Sequence, residues 1–192
     1  RTRVNARYLP EVPLPGKVAI TADMASALAD ADLALVATPV SAFESVLTQI
    51  AGIRTDLPII WGCKGFCPVS GEPLSVAAAR ILGAGACFGV FSGPSFADGL
   101  AVNDPTAVVV ATNADHETTL GIAEALSNDT LRVYANPDLI GVQICGAIKN
   151  VYAIAAGIID GCGWGVNTRA AMMTRAVAEA KLGAAVDPEG EV

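Results

Sequence analysis

Short, unbroken apolar runs alternate with amphipathic stretches of helical period along the first two-thirds of the chain, and nothing else limits the fold as tightly. Strands are predicted at 17–21, 32–39, 57–63, 86–93, 105–112 and 131–136, with helices at 23–31, 41–52, 71–83 and 114–127. A strand that is apolar at every position has no solvent-facing side. It belongs in a mostly parallel sheet covered by helices on both faces. Local chemistry agrees: Asp23 stands near one helix start, Pro39 ends a strand, and Ser41 with Glu44 three residues on reads as a capping box.

Beyond Pro137 the pattern is helical only: one run to about Asp160, a glycine-rich bend over 160–167, and a helix over 168–183. The predicted fold class is therefore α/β, a Rossmann-like mostly parallel sheet (residues 1–136) followed by the start of an all-α unit (137–192). The first sixteen residues read as a proline-punctuated connection with no apolar strand before it, and the tail after Gly183 as polar and frayed. Both ends look cut, so the expectation is a fragment of a longer enzyme.

Composition narrows the function. The 192 residues are 53% hydrophobic and 16% charged, enough apolar material for a real core. A net charge of −7 with no basic run argues against a nucleic-acid binder. Five cysteines sit singly in apolar stretches, which suggests free thiols in a reducing, cytoplasmic compartment. Cys63 and Cys67 have the wrong spacing for a zinc knuckle, and the one histidine, His116, is remote, so no metal site is expected. No signal-peptide pattern is visible. The greasiest stretch, 139–159, contains Gln143, Lys149 and Asn150. A charge at a bilayer centre costs about 2.5 kcal/mol or more, which favours a buried helix over a membrane span.

An open parallel sheet binds ligands at the carboxyl ends of its strands. Three loops fall there: "ATPVSA" (37–42), "WGCKGF" (61–66) and "FSGPSFA" (91–97). Gly62 and Gly65 flank Lys64 and would let it project over that edge; the plain alternative is a surface lysine. Gly93 permits close approach of a ligand, Pro94 fixes the turn, and Ser95 either meets an anion or simply caps the following helix. Lys149 lies on a helical stripe of small residues, Gly141, Cys145, Ala153 and Gly157, which would set it at the bottom of a crevice with a lowered pKa. Snorkelling, or pairing with Asp160, is the alternative. Asn150 could orient Lys149 or meet a substrate hydroxyl; equally it could satisfy a neighbouring helix end. Arg169 or Arg175, after Asn167, could meet a phosphate, although Arg175 also sits four residues before Glu179. Met172 and Met173 read as core.

In order along the chain, "NARYLPEVPLP" (5–15), "VATP" (36–39), "WGCKGF" (61–66), "SGPSFA" (92–97), "PTAVVVA" (105–111), "RVYANPDLIGVQICGAIKNVYAIAAGIIDG" (132–161) and "NTRAAMMTRAVAEAKLG" (167–183) resemble the bacterial NAD(P)-dependent sn-glycerol-3-phosphate dehydrogenase family. The resemblance implies a Rossmann-like domain followed by a 6-phosphogluconate-dehydrogenase-like helical domain. It implies NAD or NADP as cofactor and reduction of dihydroxyacetone phosphate to sn-glycerol 3-phosphate, supplying phospholipid biosynthesis. Carried across by position, Lys149 would be the catalytic acid/base and a substrate contact. Lys64 would touch both cofactor and substrate, Gly93 and Ser95 would bind substrate, and Ala97 would lie against the cofactor. The family's glycine-rich turn is expected ahead of residue 1, so the choice between NAD and NADP is not legible. A homodimer, a lysine Schiff-base enzyme of aldolase type, and a non-catalytic nucleotide-binding or assembly module remain open alternatives.

Overall fold

The computed structural model describes residues 3–185. A small antiparallel hairpin, β1 (Val4–Asn5) and β2 (Leu9–Pro13), opens the chain. Arg3 ties it down by donating to the carbonyls of Leu14, Pro15 and Val18. The opening connection thus carries two short strands of its own. Residues 17–21, predicted as a strand, form none: Val18 and Ile20 lie exposed, with no strand pairing them among the described residues.

A five-stranded sheet follows, built from β3 (Ala34–Val36), β4 (Ile59–Trp61), β5 (Phe88–Ser92), β6 (Thr106–Thr112) and β7 (Leu131–Ala135), ordered as in the sequence. β3, β4 and β5 are mutually parallel, β6 runs against β5, and β7 is parallel to β6. The helices are α1 (Met24–Leu28), α2 (Phe43–Ala51), α3 (Leu74–Leu82), α4 (Ala97–Ala101), α5 (His116–Leu126), α6 (Leu139–Gly161) and α7 (Val166–Ala185). This is the Rossmann-like α/β class with a helical unit after it. Residues 186–192, most of the tail expected to fray, lie outside the described residues; α7 continues to Ala185.

Two apolar layers sandwich the sheet, as strands apolar on both faces require. On one face Val36, Phe43, Leu47, Trp61, Leu74 and Phe88 pack together under α2, α3 and the start of α6. Trp61 is fully buried, edge-on to Phe43 at 5.3 Å and stacked on Phe88 at 6.1 Å. On the other, Ile60, Val108, Val110 and Val133 meet Ile122 and Ala123 of α5.

Caps explain where several helices begin. Asp115 accepts from the Thr118 amide at 2.7 Å and Asp138 from the Gly141 amide at 2.7 Å. The capping box at Ser41 does not form. Ser41 lies in a 3-10 turn (Val40–Ala42), Ala42 is the N-cap, and the Glu44 carboxylate is held by Arg80 at 2.9 Å instead. Arg80 also reaches Glu72 at 2.6 Å, so it bridges both carboxylates of the Glu44–Cys67–Glu72 cluster.

The joint between sheet and helical unit rests on Gln143. Its Oε1 accepts from the Ser75 amide at 2.9 Å and its Nε2 donates to Ser75 Oγ at 3.1 Å, all of it buried. α3 has Pro73 at its N-cap and no side-chain cap of its own, so α6 caps α3 from 68 residues away. One helix turn on, Gly146 of α6 rides so close to β5 that a Cβ would lie 2.7 Å from Ser92 Oγ. The second half of α6 meets chiefly α7, leaving Val151, Ile154 and Ile158 exposed. Among the described residues α6 is the one helix long and apolar enough to cross a membrane by length and composition. Gln143→Leu, which keeps the bulk and strands the Ser75 amide, is expected to lower stability by about 1–3 kcal/mol, read as a fall in the urea midpoint; an unchanged midpoint would show that the cap carries no weight.

Candidate active site

Because β3, β4 and β5 are parallel, their carboxyl ends share one edge of the sheet, and the chain leaves that edge three times. The turns after β3 (Ala37–Val40), β4 (Gly62–Gly65) and β5 (Gly93–Phe96) line a cavity of about 540 Å³, closed on one side by Lys149 and Asn150 of α6. A second cavity of about 550 Å³ adjoins it, lined by Ser92, Gly93, Pro94, Asn136, Gly141 and Lys149. Lys149 borders both.

Gly65 takes φ +137°, a conformation open to glycine, and this sharp exit from β4 presents Lys64 across the strand ends. Lys64 Nζ donates to the Gly93 carbonyl at 3.0 Å, linking the second turn to the third. Gly93 has no room for a side chain: a Cβ would sit 2.8 Å from Val108 Cγ1 and 2.9 Å from Val108 Cα. Burial first, and then the neighbouring Lys149, lowers the Lys64 pKa below the usual lysine range. Beside it, burial pushes the Cys63 thiol up to about 11.

Several sequence expectations need correction here. Lys149 is not at the bottom of a crevice. It is exposed, as are Cys145, Ala153 and Gly157 of its stripe, because the middle of α6 has already left the sheet. Its Nζ nonetheless stands at the cavity mouth, 5.6 Å from the centre of the Phe96 ring. Asp160 does not pair with it but with Arg169, at 3.0 Å. Ser95 does not cap α4; Phe96 is the N-cap residue, and the Ser95 hydroxyl lies 3.4 Å from the Gly93 carbonyl, to which it donates. Ala97 is the first residue of α4 and is exposed. Arg175 pairs with Glu179 at 2.6 Å, the helical pairing its spacing indicated. Met172 and Met173 line a third, apolar cavity between α6 and α7, and Met173 is exposed.

Thr38 and Phe96 were not singled out by the sequence, although both loops were. Thr38 Oγ1 is buried with no hydrogen-bond partner and its residue lines the first cavity. The only hint was a hydroxyl just before the proline that ends a strand. Chemically the cavity joins two amines with an apolar lip of Leu35, Ala37, Val40 and Phe91. No ion pair among the described residues includes Lys64 or Lys149. Such a site can neutralise an anion and donate a proton beside a flat apolar group.

A Rossmann-like sheet with a cationic cleft at its strand ends defines the class of α/β cofactor-binding proteins. Profiles described as NAD-dependent glycerol-3-phosphate dehydrogenase N-terminus and C-terminus match residues 1–118 and 138–189. The chain belongs to the NAD-dependent glycerol-3-phosphate dehydrogenase family. It is similar to the protein named glycerol-3-phosphate dehydrogenase (NAD(P)+) of Dechloromonas aromatica, 45% identical over 190 residues, 98% of this chain and 57% of that protein. Against the protein of that name from Aromatoleum aromaticum the figures are 47% over 178 residues, 93% and 54%. The crystal structure of the Coxiella burnetii glycerol-3-phosphate dehydrogenase superposes with a TM-score of 0.85 at 38% identity, covering 94% of this chain and 55% of that one. The chain thus spans about half the length of the curated relatives it matches.

The lowered Lys64 pKa gives a signed expectation. Between that pKa and the ordinary lysine value the free site lacks a proton that a bound phosphate dianion would restore, so binding takes up a proton and weakens as pH rises through the window. Titration calorimetry of inorganic phosphate in buffers of different ionisation enthalpy should show this uptake, and Lys64→Gln should abolish it; heats independent of the buffer would contradict it.

Proposed function

We propose that the protein carries the core of an NAD(P)-dependent sn-glycerol-3-phosphate dehydrogenase, which reduces dihydroxyacetone phosphate reversibly and supplies glycerol 3-phosphate to phospholipid synthesis in a cytoplasmic, reducing compartment. The carrying observation is that Lys64 and Lys149, 85 residues apart in sequence, line one cavity at the carboxyl ends of three parallel strands. In this reading residues 1–136 are the cofactor side and 137–192 begin the substrate side.

The cavity suits the nicotinamide end of the cofactor. Its lip is apolar, and Thr38 Oγ1 is a buried polar atom in want of a partner. When bound there, a dihydronicotinamide would supply the hydride that the ketone carbon takes up. Lys149 gives its Nζ proton to the ketone oxygen as that oxygen gains charge, and takes it back from the hydroxyl in the reverse direction. Lys64 lies 3.0 Å from the Gly93 carbonyl, so its remaining N–H donors are free for the substrate and the cofactor edge. Gly93, in the wall of the second cavity, would offer its backbone to the substrate and Ser95 its hydroxyl, while Ala97, just outside the cavity lining, would flank the cofactor on the α4 side. Two cations with no carboxylate partner among the described residues favour a doubly charged phosphate over a neutral triose.

Oxidation of NADH and of NADPH by dihydroxyacetone phosphate tests the reading, and turnover with neither would refute it. In an active enzyme Lys149→Ala should lower kcat by on the order of 10²-fold or more while nicotinamide binding stays nearly intact. Lys64→Ala should raise KM for dihydroxyacetone phosphate as well as lower kcat. Borohydride should trap no adduct on either lysine; a trapped adduct would point to Schiff-base chemistry instead.

A further inference from the structure

The cleft holds two amines that repel each other and no carboxylate that pairs with either among the described residues. Lys64 is anchored on the Gly93 carbonyl. Lys149 has no such anchor: it is exposed, on a flexible four-carbon stem, beside a like charge. Repulsion alone would swing it into solvent. What meets it is Phe96, whose ring centre lies 5.6 Å from Nζ, within the reach of a cation–π contact.

Phe96 has no role in the core. It is 74% exposed, it is the N-cap residue of α4 without a capping side chain, and it sits in a polar turn between Ser95 and Ala97. A large aromatic left open to water in a loop is a feature that packing does not explain. Both Phe96 and Lys149 line the 540 Å³ cavity. The choice of an aromatic has a reason. A carboxylate here would hold the ammonium but repel an anionic ligand and cancel the cleft's charge. The negative face of a ring attracts the ammonium and adds no net charge.

We propose that Phe96 is a positioning residue: its ring holds the Lys149 ammonium over the cleft and leaves the cleft net positive for an anionic substrate. The kinetic part of this proposal rests on the dehydrogenase reading; the placement does not.

The placement is tested by NMR on the chain labelled with ¹³C at the lysine ε-carbons, the Lys149 signal being assigned by Lys149→Arg. The ring current of Phe96 should displace the Lys149 ε-protons upfield. Phe96→Leu should abolish that displacement and Phe96→Tyr should keep it. The same shift in the Leu variant would overturn the proposal, and because residue 96 is exposed the fold should tolerate both changes. In an enzyme that turns over dihydroxyacetone phosphate, Phe96→Leu should lower kcat roughly two- to fivefold, and Phe96→Tyr should restore it. Replacing Phe96 by mono-, di- and trifluorophenylalanine, which keeps shape while draining charge from the ring face, should lower kcat in graded steps. Equal rates across that series would overturn the kinetic part. A wild-type enzyme without turnover would refute the dehydrogenase reading while the NMR result still decides where Phe96 holds Lys149.

Discussion

The arrangement of the site depends on one buried amide. Gln143 satisfies the first turn of α3 from the first turns of α6, and that cross-cap fixes the helical unit against the sheet in both height and rotation. An ordinary N-cap is local and sets only where a helix begins. This one is remote, so the same two hydrogen bonds also set where Lys149, six residues along α6, arrives relative to the β4 and β5 turns. An apolar contact in its place would hold the helix down but leave it freer to turn about its axis. The close approach of Gly146 to Ser92 works in the same sense, since a helix seated that near a strand has little room to roll.

The cleft that results is unusual for what it omits. Surface lysines commonly find a carboxylate, and among the described residues four arginines do. The two cleft lysines instead have a carbonyl and a ring. Neither partner cancels charge, so the two cations repel each other in a way that a dianion bound between them would relieve. The direction of the Lys64 shift is one trace of that repulsion, although burial is its larger cause.

How much of this could be read from the residues follows from how local each signal was. The strands from 32 onward were legible because a run apolar on both faces has few places to go. The strand placed at 17–21 failed because pattern carries no information about whether a partner strand lies alongside. The capping box at Ser41 failed for a similar reason, Glu44 having been claimed by Arg80, 36 residues away. Site loops were legible because parallel topology puts strand ends together and glycines mark the sharp exits. Lys149 was placed too deep because apolar composition was read as burial, whereas Val151, Ile154 and Ile158 face outward on the same helix. Phe96, Thr38 and the cross-cap of Gln143 left almost no mark, since an ordinary residue type acquires a role only through what the fold brings beside it.

Cys63 illustrates a last consequence. It lines the same cavity as Lys64, yet burial pushes its thiol pKa up to about 11, so near neutrality it stays a thiol. Oxidants and alkylating agents, which attack the anion, would meet the exposed Cys145 and Cys162 first. Sulfur next to the cleft amine is thereby kept chemically silent, a filler rather than a rival nucleophile.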